Sequence, residues 1–325
     1  MPEILPRTAD KPCALFDLTT RGALAIAGKD RAEFLHGMVT NDVKRLRPGQ
    51  GCHAALLTSK GKLRAEMNVL CSEERLLLDT PPELAGTLAP LLRGYVFFQE
   101  AAISDETAEA SLLHLAGARA AEVLRAAGVA APPSAPHDHI VAEIGGVRTR
   151  VVAEARSGAP GFDLRVLLAD RDALAGSLRA AGAEASPLEE LEAARIEAGI
   201  PRWGRELDDT VLPNEAFLER TAISYTKGCY VGQEIVARLK TYGHVNRHLV
   251  RLLLAPDAAV APGAEVRAGE AKVGSVTSAA LSTRGARVVA LAYVRREHEA
   301  AGTVLAVVGE GGPLPAVVEP LPLAA

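Results

Sequence analysis

The run KGCYVGQE, residues 227–234, sets the thiol of Cys229 between Gly228 and Gly232, with Lys227 before it and Gln233 and Glu234 after it. A thiol beside a lysine and close to a helix start sits in surroundings that favour the thiolate, the reactive form of cysteine. Gln233 to Arg238 reads as the first turns of such a helix, with Glu234 placed where the helix dipole favours an anion. Against a nucleophilic role stands the distance in sequence to a base, because His244 and His248 lie beyond the following turn. The glycines admit backbone angles closed to other residues and allow close approach of a ligand or a second segment. On residue types alone the run reads equally as a reactive thiol or as a tight turn around a small cysteine.

A second group of chemistry-bearing residues lies in SPLEELEAARIEAGIPRWG. Ser186 with Glu189 three positions on matches a capping box, and Pro187 suits a first helical turn. Gly199 followed by Pro201 is a stop signal. Leu188, Leu191, Ala194 and Ala198 form one stripe with Arg195 inside it, while Glu197 falls on the other side near Glu190. A guanidinium on a buried face requires a carboxylate or a ligand, unless it reaches past Leu191 to solvent. Glu197 stands in the last turn, where the dipole disfavours an anion. The following PRWGRELDDTVLPNEAFLE is aperiodic and polar, a loop of the kind in which sites collect.

These residues need a scaffold, and the periodicity supplies α+β layers with mostly antiparallel sheets. GALAIAG reads as a buried strand, and DRAEFLHGMVTND as a helix capped by Asp30 with Phe34, Leu35, Met38 and Val39 on its apolar face. CHAALLTSKGKLRAEMNVLC reads as two strands turning at Ser59-Lys60-Gly61, with Leu63, Ala65, Met67 and Val69 alternating with polar residues. RLLLDT, YVFFQEA, SLLHLAG, IVAEIGG, VRTRVVAEA and DLRVLLA are strand-like; PELAGTLAPLLRG, GARAAEVLRAAGV and residues 170–181 are helix-like. From about His248 onward, short strands separated by glycine turns suggest a small all-β unit. The expected organisation is therefore an α+β region over 1–245 and a β-barrel over 246–325.

The totals exclude several classes. With 325 residues the chain has enough length to bury its own cores without disulfides or metals. A net charge of -4 argues against a general nucleic-acid binder. No uncharged apolar run approaches the roughly 20 residues needed to span a bilayer. Glu3, Arg7, Asp10 and Lys11 stand where a secretion signal would need an apolar block, so a cytoplasmic location without membrane attachment is expected. Cys13, Cys52, Cys71 and Cys229 form no C-x-x-C pair, which suits reduced thiols. His137 and His139 in PPSAPHDHI lack converging ligands, so no metal site is expected.

KGCYVGQE resembles the signature of the YgfZ proteins, folate-binding relatives of the glycine-cleavage T-protein (aminomethyltransferase). GKDRAEFLHGMVTNDV, RIEAGIPRWG, LPNEAFLE, GSVTSAALS and ARVVALAYV extend the likeness from about residue 20 to about 295. The resemblance implies a three-lobed arrangement: two ferredoxin-like α+β lobes around a central folate cavity, and a C-terminal β-barrel. It implies tetrahydrofolate or a one-carbon derivative as the bound molecule, with Glu197 reading the pterin edge and Lys227 meeting the glutamyl carboxylate. Arg195, Gln233, Asn41, Asp42 and Glu66 complete the implied folate-contacting set, and Cys229 is the implied functional thiol. Where T-proteins carry paired aspartates, this chain aligns Ala65 and Glu66. Glycine-cleavage-type aminomethyl transfer is accordingly not expected. The expected role is support of assembly or repair of iron–sulfur enzymes, with those client enzymes or assembly proteins as partners. Folate-dependent one-carbon transfer or demethylation, with Glu66 or Asp42 moving protons, and a non-catalytic interaction protein stand as alternatives.

Overall fold

The computed structural model describes residues 11–282, 287–309, 311–319 and 321, so the secretion-signal reading, which rests largely on residues 1–10, lies outside the described residues. Strand β1 (Ala14–Asp17) opens them and joins the second of two sheets. The first sheet is built from β2 (Gly22–Ala27), β3 (Gly51–Leu57), β4 (Leu63–Cys71), β5 (Arg75–Thr80) and β6 (Ala102–Asp105), in the order β3-β4-β5-β2-β6. Along β4 the side chains alternate as a two-residue period demands. Ala65, Met67 and Val69 are buried on one face, and Glu66 and Asn68 are half-buried on the other. Helices α1 (Arg31–Met38) and α2 (Ala85–Arg93) cover the apolar face through Phe34, Leu35, Met38, Leu88, Ala89 and Leu92.

The other face turns to the second sheet, where Ala25, Leu70 and Leu77 meet Val152. That sheet comprises β7 (Ala110–Ala116), β8 (His139–Ile144), β9 (Val147–Ala153), β10 (Gly161–Leu167) and β11 (Glu184–Ala185), in the order β11-β1-β7-β10-β9-β8. Only the β1–β11 pair is parallel among the described strands. Helices α3 (Ala120–Ala126) and α4 (Arg171–Ala180) close its apolar face with Val123, Leu124, Leu174 and Leu178. Between the sheets Asp79 of β5, 2% exposed, accepts hydrogen bonds from Arg21 (2.9 Å), Arg156 (2.7 Å) and Arg165 (2.8 Å). Arg156 also donates to Asp163 of β10, which is bound to His114. Burial alone would raise the Asp79 carboxyl; the three guanidiniums outweigh it and hold it well below the usual carboxylate range.

After α5 (Leu188–Ala198), an irregular segment and α6 (Gln233–Tyr242), the chain enters a closed barrel. Its strands are β12 (Arg247–Leu254), β13 (Glu265–Ala268), β14 (Ala271–Leu281), β15 (Val288–Arg295), β16 (Val304–Gly309) and β17 (Gly312–Glu319), in the order β12-β15-β14-β13-β16-β17. The fold is thus two α+β lobes with a six-stranded antiparallel barrel, as expected from the sequence. One core runs through the first lobe, the segment from Trp203 to Tyr230, and barrel residues Leu249, Val289, Leu291 and Tyr293. No helix among the described residues is long and apolar enough to cross a membrane.

Local expectations failed at four places. YVFFQEA is no strand: the Gln99 side-chain oxygen accepts the amides of Phe97 and Phe98, leaving both rings exposed and the strand to begin at Ala102. Asp30 makes no side-chain cap; its Oδ2 accepts the Glu100 amide (2.8 Å) and ties α1 to the strand beyond. Ser186 forms no capping box, because its hydroxyl accepts from Lys11 Nζ (2.8 Å) and the helix starts behind Pro187. Leu188 is exposed, and the buried side of α5 is Glu190, Leu191, Arg195 and Ile196. Glu190 can be buried there because Lys11 donates to both of its oxygens.

Candidate functional site

The turn Thr40-Asn41-Asp42 follows α1 and is locked on both sides. Thr40, fully buried, donates its hydroxyl to the Ala222 carbonyl (2.6 Å) and accepts the Ala55 amide (2.9 Å). Asn41 Nδ2 donates to the carbonyls of His53 (2.8 Å) and Thr221 (3.2 Å), and its Oδ1 accepts the Asp42 amide. Asp42 pairs with Arg45 and stands 3.3 Å from His36 Nδ1. The turn therefore staples β3 to the start of the signature segment.

On the face of the first sheet that turns to the second sheet, His53 Nε2 lies 3.2 Å from Glu66 Oε2, and His53 Nδ1 lies 3.1 Å from Thr221 Oγ1. Both His53 and Glu66 are mostly shielded, with side chains 17% and 14% exposed. Glu66 Oε1 has no protein hydrogen-bond partner among the described residues. His53 and Thr221 escaped the sequence reading because nothing in CHAALL or LERTA marks them as partners of residue 66.

The signature segment packs as a wall on this lobe. Lys227, 7% exposed, sends its ammonium into the end of α1, donating to the carbonyls of His36 and Val39. A cation at a helix C-terminus satisfies carbonyls that lack intrahelical donors. Burial pulls the Lys227 ammonium down to about 8, with Asp42 the strongest opposing charge. Gly232 has φ +83, and a Cβ there would stand 2.5 Å from the Thr58 carbonyl oxygen. Gly61, with φ +74 in the facing hairpin turn, likewise leaves room for Ile235. Gln233, half-buried, opens α6 behind Gly232. Of the four cysteines only Cys229 is exposed. Burial pushes the thiols of Cys13 and Cys52 up to about 11 and about 12.

Arg195 and Glu197 form a separate group, where α5 meets the barrel. All five N–H groups of Arg195 are engaged by protein oxygens: Glu192 twice, Glu206, the Ile200 carbonyl and Ser278 of β14. Glu206 in turn accepts from Ser278 (2.6 Å) and from the Arg202 amide (3.1 Å). Of the partners expected for this guanidinium, the structure supplies carboxylates. Gly199, at φ 73, ends α5. Glu197 is half-buried; its Oε1 accepts from Ser282 (2.9 Å) and its carbonyl from Arg251 of β12. His137 and His139 belong to different contacts, with Glu154 and Arg150 respectively. Among the described residues no cluster of three or more His, Cys, Asp or Glu side chains could hold a metal ion.

Comparison with known proteins agrees with this architecture. Residues 7–227 match the family described as the GCVT N-terminal domain, and residues 247–324 match the glycine cleavage T-protein C-terminal barrel domain. A chloroplastic protein of Arabidopsis thaliana, named provisionally as a transferase, is 28% identical over 92% of this chain and 69% of its own length. An aminomethyltransferase of Rubrobacter xylanophilus is 30% identical over 95% of this chain and 82% of its own. The crystal structure of glycine cleavage system aminomethyltransferase T from Bartonella henselae superposes with a TM-score of 0.86, at 23% identity over 97% of this chain and 87% of that one, which supports the shared fold. The expectation drawn from Ala65 and Glu66, that glycine-cleavage-type aminomethyl transfer is absent, is overturned by this end-to-end similarity to aminomethyltransferases. Its physical error lies in requiring a carboxylate at both positions. Ala65 is 1% exposed beneath the sheet, among Met67 and Val69, where a carboxylate would be buried in hydrocarbon. Only position 66 lies on the face away from the helices, and there the carboxylate is kept. The chain belongs to the glycine-cleavage T-protein family.

Proposed function

We propose that this protein transfers a one-carbon unit of the aminomethyl class to tetrahydrofolate. The observation that carries this reading is the Glu66 carboxylate of a T-protein fold, held at one oxygen by His53 and without a protein partner at the other among the described residues. The donor set fits a reduced pterin. Glu197 and Glu66 are two shielded carboxylates of the kind that accept N–H groups of a ring. Bound tetrahydrofolate supplies the secondary amines that receive the one-carbon unit. Glu197 orients the pterin edge, and its own position is fixed through Ser282 and Arg251. Glu66 exchanges the proton that must leave an attacking amine or reach a departing one. Asn41 holds the backbone of His53 and Thr221 behind Glu66, and Asp42 and Gln233 belong to the turn after α1 and the start of α6. Arg195, with all five N–H groups on protein oxygens, holds α5 in place, and Lys227, with two protein carbonyls on its ammonium, holds the end of α1.

Calorimetric titration tests the ligand. Tetrahydrofolate should bind the wild-type protein, and Glu197→Ala should weaken binding about tenfold or more, the worth of charge-assisted hydrogen bonds of roughly 1.5–3 kcal/mol. Absence of any heat with wild type at saturating folate would remove the folate reading.

A second reading, a YgfZ-like accessory role toward iron–sulfur enzymes, is favoured by one observation, the exposure of the Cys229 thiol on the signature loop. A single thiolate cannot hold a cluster, which takes about four ligands, so this role would be a transient contact. Cys229→Ala separates the readings. It should leave one-carbon transfer unchanged under the first and abolish support of iron–sulfur enzyme activity in cells under the second.

A further inference from the structure

The juxtaposition of His53 and Glu66 depends on a defect in the β3–β4 ladder. Next to the turn, Leu57 pairs with Leu63; one step on, Leu56 pairs with Ala65, and Arg64 is left without a partner. That β-bulge shifts the register by one residue, so that Ala55 faces Glu66 and His53 faces Asn68. Without it, counting from the Leu57–Leu63 pair would set His53 opposite Met67, on the helix-covered face. A one-residue slip moves every side chain of a strand to the other face. The bulge therefore places the imidazole on the same face as the carboxylate, one diagonal step away. The ring is also held from behind: Asn41 bonds the carbonyls of both His53 and Thr221, and Thr221 Oγ1 meets His53 Nδ1.

We propose that His53 is a positioning residue for the one-carbon transfer: it fixes Glu66 through Oε2 so that Oε1 is presented to the reacting amine. This rests on the folate-transfer reading for its consequence but not for its geometry. An ionised carboxylate only accepts hydrogen bonds, so Nε2 carries the proton toward Glu66 and Nδ1 accepts from the Thr221 hydroxyl. The Glu66 carboxylate thereby selects the tautomer and the Thr221 hydroxyl turns to match it, while His53 fixes the carboxylate orientation and Asn41 the spacing of the two elements that bear them. Carboxylates that must meet a reacting atom lose much of their effect when the rotamer is free, because misplacement by about 1 Å can cost about 100-fold in rate.

Two measurements on the full chain test this. In protein labelled with nitrogen-15 at histidine, His53 should show the Nε2–H tautomer. Glu66→Ala should convert it to a mixture of tautomers, whereas a His53 signal unchanged by that variant overturns the proposal. In the transfer assay His53→Ala should lower kcat about tenfold or more while KM for tetrahydrofolate stays within about twofold, and His53→Gln, which restores an N–H donor, should recover part of the loss. A His53→Ala enzyme with wild-type kcat overturns the proposal. So does a His53→Ala/Glu66→Ala double variant whose loss is the product of the two single losses. Should wild type transfer nothing, the functional reading falls, and the tautomer measurement still decides whether His53 holds Glu66.

Discussion

Lys227 shows how a residue can sit in a functional signature and serve the fold. Its ammonium replaces the missing donors at the end of α1, at the expense of leaving water. Because burial lowers its folded value to about 8 from 10.5, the unfolded chain binds this proton more tightly between those values. Stability from this group therefore rises as pH goes from 8 toward 10.5, where the unfolded state still carries the proton and the folded state has shed it. Lys227→Met should remove that rise. Urea midpoints for wild type and variant across this window check the sign, and parallel curves would contradict the burial argument. Arg195 carries a similar lesson. The sequence demanded a partner for a guanidinium on the buried side of α5, but it could not say that Glu206, eleven residues on in an irregular loop, would provide it. Of a carboxylate or a ligand, the protein supplies the carboxylates itself.

At the scale of elements, the two glycines of the signature are not equivalent. Gly232 combines a left-handed backbone with backbone oxygen 2.5 Å from any Cβ, whereas at Gly228 the nearest atom is 3.8 Å away and the left-handed region is not used. Gly232→Ala should cost about 2 kcal/mol or more, from strain of about 1–2 kcal/mol plus the displaced hairpin turn. Gly228→Ala should stay within about 0.5 kcal/mol, as substitutions away from such features do. Equilibrium unfolding in urea distinguishes them, and equal losses would mean that the turn packing is misread. The strands of the β3–β4 hairpin were legible from alternation, and its turn from Ser59-Lys60-Gly61. The bulge at Arg64 was not, because a single unpaired residue leaves no periodic trace, and with it His53 was missed. Strand β1 was also missed, being only four residues long, as was β17, whose Pro313 and Pro315 argue against a strand. Those prolines lie in the stretch of β17 paired only with β16, where one side of the ladder needs no donor. Helix starts misled at Asp30 and Ser186 because tertiary partners, the Glu100 amide and Lys11, claimed the capping side chains.

For the molecule as a whole, the two lobes are joined across a charged seam. Asp79 serves Arg21, Arg156 and Arg165 together, residues of both lobes that meet this carboxylate only in the fold. Replacing the shared carboxylate by a neutral amide leaves the shielded Arg21 and Arg165 without their counter-charge, while Arg156 keeps Asp163, so Asp79→Asn should cost about 3–5 kcal/mol. A carboxylate depressed in the folded state contributes stability above its unfolded value, about 3.9, that is lost as pH falls through the acid range. Wild type should lose stability steeply below that value and the variant less so. Thermal unfolding from pH 7 to pH 3 reads both effects, and an Asp79→Asn protein of wild-type stability would show that the seam is not holding the lobes. None of these long-range partners is visible in periodicity, whereas the α+β and barrel classes, which follow from local pattern, were.

Glu66 is the group proposed to move protons in a folate-dependent one-carbon transfer. Its most direct test is a glycine-cleavage reaction reconstituted without its own aminomethyltransferase, to which this protein and tetrahydrofolate are added, with ammonia release followed over time. The wild-type protein should restore tetrahydrofolate-dependent release, and Glu66→Gln should lower its rate about 100-fold or more, the usual worth of an acid–base group. Wild-type rates from Glu66→Gln, or no release with the wild-type protein, would contradict the account.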